Sequence, residues 1–80
     1  MIDRHIAKSI LEIALFLEYS GEDAVDPDAA VAAFEQLAAN LQLASDQTRI
    51  ELTGVIREMA SDYPEHRDYI SELPAALGLA

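Results

Sequence analysis

A helical spacing of apolar residues repeats along almost the whole chain and is the strongest constraint on its fold. Apolar side chains recur every three or four residues in four successive segments, as they do on one face of an α-helix. Glycine and proline, three of each, fall between or at the ends of these segments, apart from Gly54. The pattern predicts an all-α fold: a compact bundle of four helices, the last one short, in a single domain over residues 1–80.

Capping residues predict where the first two helices begin. Helix one is expected from about Asp3, its N-cap, to Tyr19, with Gly21 in the left-handed conformation that often ends a helix. Helix two begins at the sequence Asp-Pro-Asp, residues 26–28. The first of these three caps the helix, the proline takes the first helical position, and the second aspartate opposes the helix dipole. Helix two then runs to about Leu41.

The last two helices are marked in the same way. Ser45 or Asp46 is expected to cap helix three, which continues to about residue 62. Pro64 is predicted to open helix four at its first position, and Pro74 is predicted to break it. One further turn then reaches Gly78.

Helix one carries two apolar rows. The first row is predicted to face the core and contains Ile6, Ile10, Ile13 and Leu17. The second row contains Leu11, Leu15 and Tyr19. Helical spacing alone leaves two roles open for this second row: burial among the other three helices, or contact with a partner protein or a second copy of the chain.

Acidic residues dominate one part of the sequence. The formal net charge is −10, and no lysine or arginine lies between Lys8 and Arg49. Five acids fall between Glu18 and Asp28. Such a balance argues against binding to nucleic acids or anionic membranes, which attract basic surfaces. It favours a basic protein partner.

The sequence contains no motif for catalysis, metal binding or a prosthetic group. Cysteine is absent, and the two histidines stand apart from any helical metal-ligand spacing. A calcium loop counted from Asp26 would need glycine where Val31 stands. Acyl carrier proteins, which are also small, acidic and helical, carry Asp-Ser-Leu at the start of helix two, and no Asp-Ser pair occurs here. We therefore expect no enzyme activity, no metal and no cofactor.

The start of the chain leads directly into an amphipathic helix and lacks the features of a signal peptide. The longest strongly apolar run, residues 13–17, is far shorter than the roughly 20 residues that span a bilayer. The sequence therefore predicts a cytoplasmic protein.

With these classes set aside, the chain resembles the small immunity proteins of bacterial toxin–immunity pairs. The resemblance lies in the stretch from Ile10 to Phe34, which includes LEYSGEDAVDPDAAVAAF, and in the ending ELPAALGLA, residues 72–80. Proteins of this kind bind a secreted or contact-delivered toxin and block its active site or substrate entrance. The resemblance implies an inhibitor that acts by binding, and it identifies no binding residues.

Charge and hydropathy together suggest a partner-binding surface at the end of helix one, facing a toxin domain with a basic cleft. Two alternatives stay open: a homo-oligomeric helical adaptor, in which helix one pairs with its own copy, and a DNA mimic. The predicted partner-binding residues are Leu11, Leu15, Glu18, Tyr19, Glu22, Asp23, Asp26 and Asp28.

Overall fold

The computed structural model of the protein describes residues 2–80. Four α-helices follow one another along the chain: α1 (Arg4–Tyr19), α2 (Pro27–Gln42), α3 (Asp46–Met59) and α4 (Arg67–Ala76). Two single turns of 3-10 helix, Ala60–Asp62 and Pro64–His66, join α3 to α4. The described residues contain no β-strand. The prediction of an all-α bundle of four helices, with a short last helix, is confirmed.

Three of the helices begin at side-chain caps. The Asp3 carboxylate accepts from the His5 amide at 2.7 Å, and the Asp26 carboxylate accepts from the Ala29 amide at 3.0 Å. At α3 the cap is Ser45, whose hydroxyl accepts from the amide three residues later at 3.2 Å. Each cap satisfies a backbone donor that has no partner inside the helix.

The helix ends differ from the sequence-based expectation. Gly21 does not adopt the left-handed conformation, because α1 ends at Ser20 in an extended conformation with φ −75° and ψ 134°. Pro74 does not break α4, which continues to Ala76. A proline in the last turn of a helix forgoes a single backbone hydrogen bond, so the helix tolerates it there.

The left-handed glycine lies instead at Gly78, with φ 76°. The Gly78 amide donates to the Ala75 carbonyl at 3.0 Å, and the Leu79 amide donates to the Pro74 carbonyl at 2.8 Å. These two bonds form a Schellman motif, which satisfies carbonyl groups at the end of α4. The side chain of Gln42 adds a bond from α2, donating to the Leu77 carbonyl at 3.1 Å.

The core is built chiefly by α1, α3, α4 and the C-terminal turn. Helix α3 packs against both α1 and α4, whereas α2 packs mainly against α1. Ala38 is the one buried residue of α2. The buried apolar side chains are Ala7, Leu11, Ala14, Ala38, Leu52, Ile56, Met59, Ala60, Ile70, Leu73, Leu77 and Leu79.

The predicted core face of α1 is wrong. Ile6 and Ile13 are 55% and 53% exposed, and Ile10 and Leu17 are half-buried. The face that enters the core carries Leu11 with the two alanines, residues 7 and 14. Small residues such as these alanines let helix backbones approach closely. The face that carries them points into the core, although the opposite side of α1 is also apolar.

This correction predicts unequal effects for two truncations on α1. Leu11→Ala should lower the free energy of unfolding by about 2–5 kcal/mol, because it leaves a cavity in the core. Ile13→Ala should change it by less than about 0.5 kcal/mol, because that side chain is largely exposed. Urea unfolding followed by circular dichroism measures both. Equal losses, or a larger loss for Ile13, would contradict the assignment of the core face.

A second pair of variants tests the C-terminal turn. Gly78→Ala should destabilise the protein by roughly 1–2 kcal/mol, because alanine is strained at positive φ and its Cβ would overlap the Gln42 side chain. Gly54→Ala is the matched control, since a Cβ at this exposed site in α3 would meet nothing within 4 Å. That control should stabilise the helix by about 1 kcal/mol. Thermal unfolding distinguishes the two signs.

Candidate functional site

The predicted acidic residues lie at one end of the molecule, where α1 passes into α2. Glu18 belongs to the last turn of α1, Glu22 and Asp23 lie in the connection, Asp26 caps α2, and Asp28 lies in its first turn. We call these five residues the acidic end. All five are exposed.

No carboxylate of the acidic end forms an ion pair within residues 2–80. The ion pairs among residues 2–80 join Arg4 to Glu58 and Asp62, Lys8 to Glu12, and Arg49 to Asp46, all outside this end.

Within the acidic end, only the Asp26 carboxylate accepts a hydrogen bond from the described chain, at its capping position. Exposed and uncompensated carboxylates raise the local negative potential, which attracts cationic groups.

The three apolar residues predicted for the same surface have different positions in the structure. Leu11 is completely buried, so its predicted role as a partner contact is wrong. Leu15 is half-buried and packs against the core. Tyr19 is 52% exposed and lies beside the acidic end. The reason is the inward rotation of the row that contains Leu11, which leaves only the last member of the row at the surface.

Tyr19 belongs to an aromatic cluster that joins α1 to the start of α4. Its ring lies 4.2 Å from that of His66, and 5.4 Å from that of Tyr69 in an edge-to-face arrangement. The Tyr69 hydroxyl donates to the Ala14 carbonyl at 3.5 Å. The sequence carries no signal that His66 or Tyr69 meets Tyr19, because both lie more than 40 residues away in the chain.

Burial, together with smaller contributions from the negative charge of Glu18 and from Tyr19, raises the pKa of Tyr69 to about 12. The phenol of Tyr69 therefore stays neutral in the folded protein at neutral and moderately alkaline pH. Glu18 directly precedes Tyr19 in the chain, so its charge lies near the aromatic cluster.

Glu18 also borders a shallow groove between α1 and α2. Leu17, Ala30, Val31 and Phe34 supply its apolar surface, and Glu18 and Glu35 add a carboxylate each. The groove has a volume of about 200 Å³. Val31 is 58% exposed, because no other helix covers this part of α2. We call these six residues the acidic groove.

A larger cleft of about 630 Å³ lies elsewhere, along the first half of α1. Arg4, Lys8, Glu12 and Asp62 are among its lining residues. Its cations already pair with carboxylates, Arg4 with Asp62 at 3.9 Å and Lys8 with Glu12 at 3.9 Å. The charges of this cleft compensate one another, whereas those of the acidic end do not.

Within residues 2–80, no group of three or more histidine, aspartate or glutamate side chains has an arrangement that could hold a metal ion. No helix in this described part of the chain is long and apolar enough to cross a membrane. No protein-family model matches the chain, and comparisons with curated proteins and with solved structures find no significant match.

The environment of Tyr69 predicts a pH dependence of stability. Its pKa is about 12 in the folded protein and 10.0 as an unperturbed group, so the unfolded state releases this proton first. The stabilising contribution is complete below pH 10 and is lost as the pH rises towards 12. Tyr69→Phe should remove this part of the alkaline loss. Urea unfolding at a series of pH values measures it, and Tyr63→Phe is the control that should retain the loss.

Proposed function

We propose that the protein binds and neutralises a cognate bacterial toxin, as an immunity protein does, and that it acts in the cytoplasm and without catalysis. The observation that carries the proposal is the acidic end: five exposed carboxylates without an ion pair among residues 2–80, beside the half-exposed ring of Tyr19. The partner that fits is a protein domain with a basic cleft.

Electrostatics supports a protein partner of this kind. Complementary charge accelerates encounter and fixes orientation, and a buried aromatic or apolar anchor then supplies affinity. Tyr19 meets the requirement for an anchor, because its ring is held by His66 and Tyr69 while half of its surface stays accessible. An aromatic side chain that is already ordered loses little conformational entropy on binding.

A second candidate function is a homo-oligomeric helical adaptor. The observation in its favour is the exposed apolar side of α1, where Ile6, Ile13 and Phe16 are each more than half exposed. The net charge of −10 opposes it, because two copies repel each other at low ionic strength. Light scattering after size-exclusion chromatography distinguishes the candidates: a monomer contradicts the adaptor.

The first experiment expresses the product of the adjacent upstream reading frame in a laboratory bacterium, with and without this protein. The proposal expects arrested growth with the neighbour alone, restored growth with both, and co-purification of the two proteins. A harmless neighbour that does not associate with this chain would contradict it.

Neutralising the acidic end should then weaken binding to that partner. The variant is Glu22→Gln, Asp23→Asn and Asp28→Asn, which leaves the Asp26 cap in place. Loss of three charges near a basic cleft should lower the association rate about tenfold or more at low salt and flatten its dependence on ionic strength. Stopped-flow binding at several salt concentrations measures both effects.

The matched control removes the same number of charges elsewhere, by Glu12→Gln, Glu58→Gln and Glu72→Gln. These positions are exposed, and the ion pairs of the first two contribute at most about 1 kcal/mol to stability. The control should retain most of the association rate. Equal losses in the two variants would show that net charge alone, rather than the acidic end, governs binding.

A further inference from the structure

We infer that the acidic groove binds a basic amphipathic segment of the partner protein. One lysine or arginine side chain of that segment lies across Leu17, Val31 and Phe34, with its charged head at Glu18 and Glu35. This inference rests on the proposed function for the identity of the partner. The groove itself can be tested with a synthetic probe.

The apolar part of the groove exists because α2 is an outer helix. Ala38 is its one buried residue, and Ala30 and Phe34 in its first half are half-buried. Val31 is 58% exposed beside them. On α1, the exposed Ile13 lies one turn before Leu17 on the same side of the helix, so apolar surface continues beyond the groove.

The two carboxylates of the groove select a cationic occupant. Glu18 and Glu35 are exposed, and neither forms an ion pair within residues 2–80. The chain has no lysine or arginine from residue 9 to residue 48 that could neutralise them. A second copy would bring the same two carboxylates and its own charge of −10, so the charge favours a basic partner over self-association.

The size of the groove points to side chains rather than to a free small molecule. Its volume of about 200 Å³ lies below the range of roughly 300–1,000 Å³ that is typical of small-molecule sites. Lysine and arginine have the matching shape, because their aliphatic stems pack on apolar surface while their heads reach polar groups at the edge. A groove that combines apolar surface with carboxylates fits this division within one side chain.

The shared position of Glu18 connects the groove to the rest of the proposed surface. Its carboxylate borders the groove and also contributes to the raised pKa of Tyr69 in the aromatic cluster. Glu18 directly precedes Tyr19 at the end of α1, and Tyr19 packs on Tyr69, so the groove and the aromatic cluster meet at this end of the helix. The acidic end, the aromatic cluster and the groove can thus form one continuous binding surface.

A synthetic amphipathic helical peptide of leucine and lysine is the probe. Its binding to the isotope-labelled full chain, followed by NMR, should shift the signals of Leu17, Val31 and Phe34 and leave those of α3 unchanged. Two further peptides serve as controls, one with glutamate in place of lysine and one with serine in place of leucine. The inference expects neither control peptide to bind the groove. Shifts spread over the whole surface, or binding of the glutamate peptide at the groove, would overturn it.

The most specific test introduces a lysine of this protein into the groove. Val31→Lys brings an ammonium group one helical turn from Glu35, where the two form an intramolecular pair. This change should weaken binding of the leucine–lysine peptide about tenfold or more. Ala33→Lys is the matched control, because it adds the same charge at an exposed position of α2 outside the groove, with no acidic residue three or four positions away. It should weaken binding less than about threefold, the general effect of one added charge.

The outcomes separate the groove from the proposed function. Equal loss in both lysine variants would overturn the groove as the binding site, even where the protein still neutralises its toxin. Selective loss in Val31→Lys would support the groove, even where the neighbouring gene product proves harmless. Circular dichroism of both variants shows whether they fold alike, and light scattering excludes a dimer that covers Val31. A dimer through this surface would overturn the inference in favour of a second copy as occupant.

Discussion

The packing of one face of α1 against the rest of the core determines the positions of nearly all surface features. Ala7, Leu11 and Ala14 are completely buried on this face. Because the helix is a rigid rod, burying this row fixes the direction of every other side chain along it. Ile13 and Phe16 are consequently left at the surface, and Tyr19 is directed to His66 and Tyr69. The position of the α1 residues proposed to bind a partner therefore follows from which face of this helix packs into the core.

The sequence predicted the N-caps of the first three helices, but it did not predict which face of α1 is buried. N-caps depend on residues three positions apart, so Asp3, Asp26 and the first alternative at α3, Ser45, could be predicted from the letters alone. The core face of α1 could not, since two apolar rows satisfy the helical period equally well. What distinguishes them is packing against residues about 40 to 60 positions away, such as Ile56 and Ile70. The buried face carries Ala7, Leu11 and Ala14, and helical spacing alone does not reveal which face packs against the neighbouring helices.

Part of the candidate site could likewise be predicted from the sequence, and part could not. The acidic residues could be predicted, because charged side chains at a helix end and in a connection are exposed in almost any packing. The aromatic cluster could not, since Tyr19 meets two residues from the far end of the chain. The acidic groove could not either, because it depends on α2 remaining at the outside with Ala38 as its one buried residue. The sequence thus predicted the charged residues of the surface. It did not predict the aromatic contacts of Tyr19 or the apolar groove beside them.

The needs of folding explain only part of the acidic end. Asp26 caps α2, and Asp28 lies where the helix dipole favours negative charge, so these two residues stabilise the fold. Glu18, Glu22 and Asp23 form no ion pair with residues 2–80, and their mutual repulsion opposes the close approach of α1 and α2. A cationic partner would turn that repulsion into attraction, which makes the same carboxylates destabilising in the free protein and stabilising in a complex. By linkage, a partner that binds only the folded state raises the free energy of unfolding. Binding at the acidic end would do so where residues 2–80 of the free protein form no ion pairs of their own.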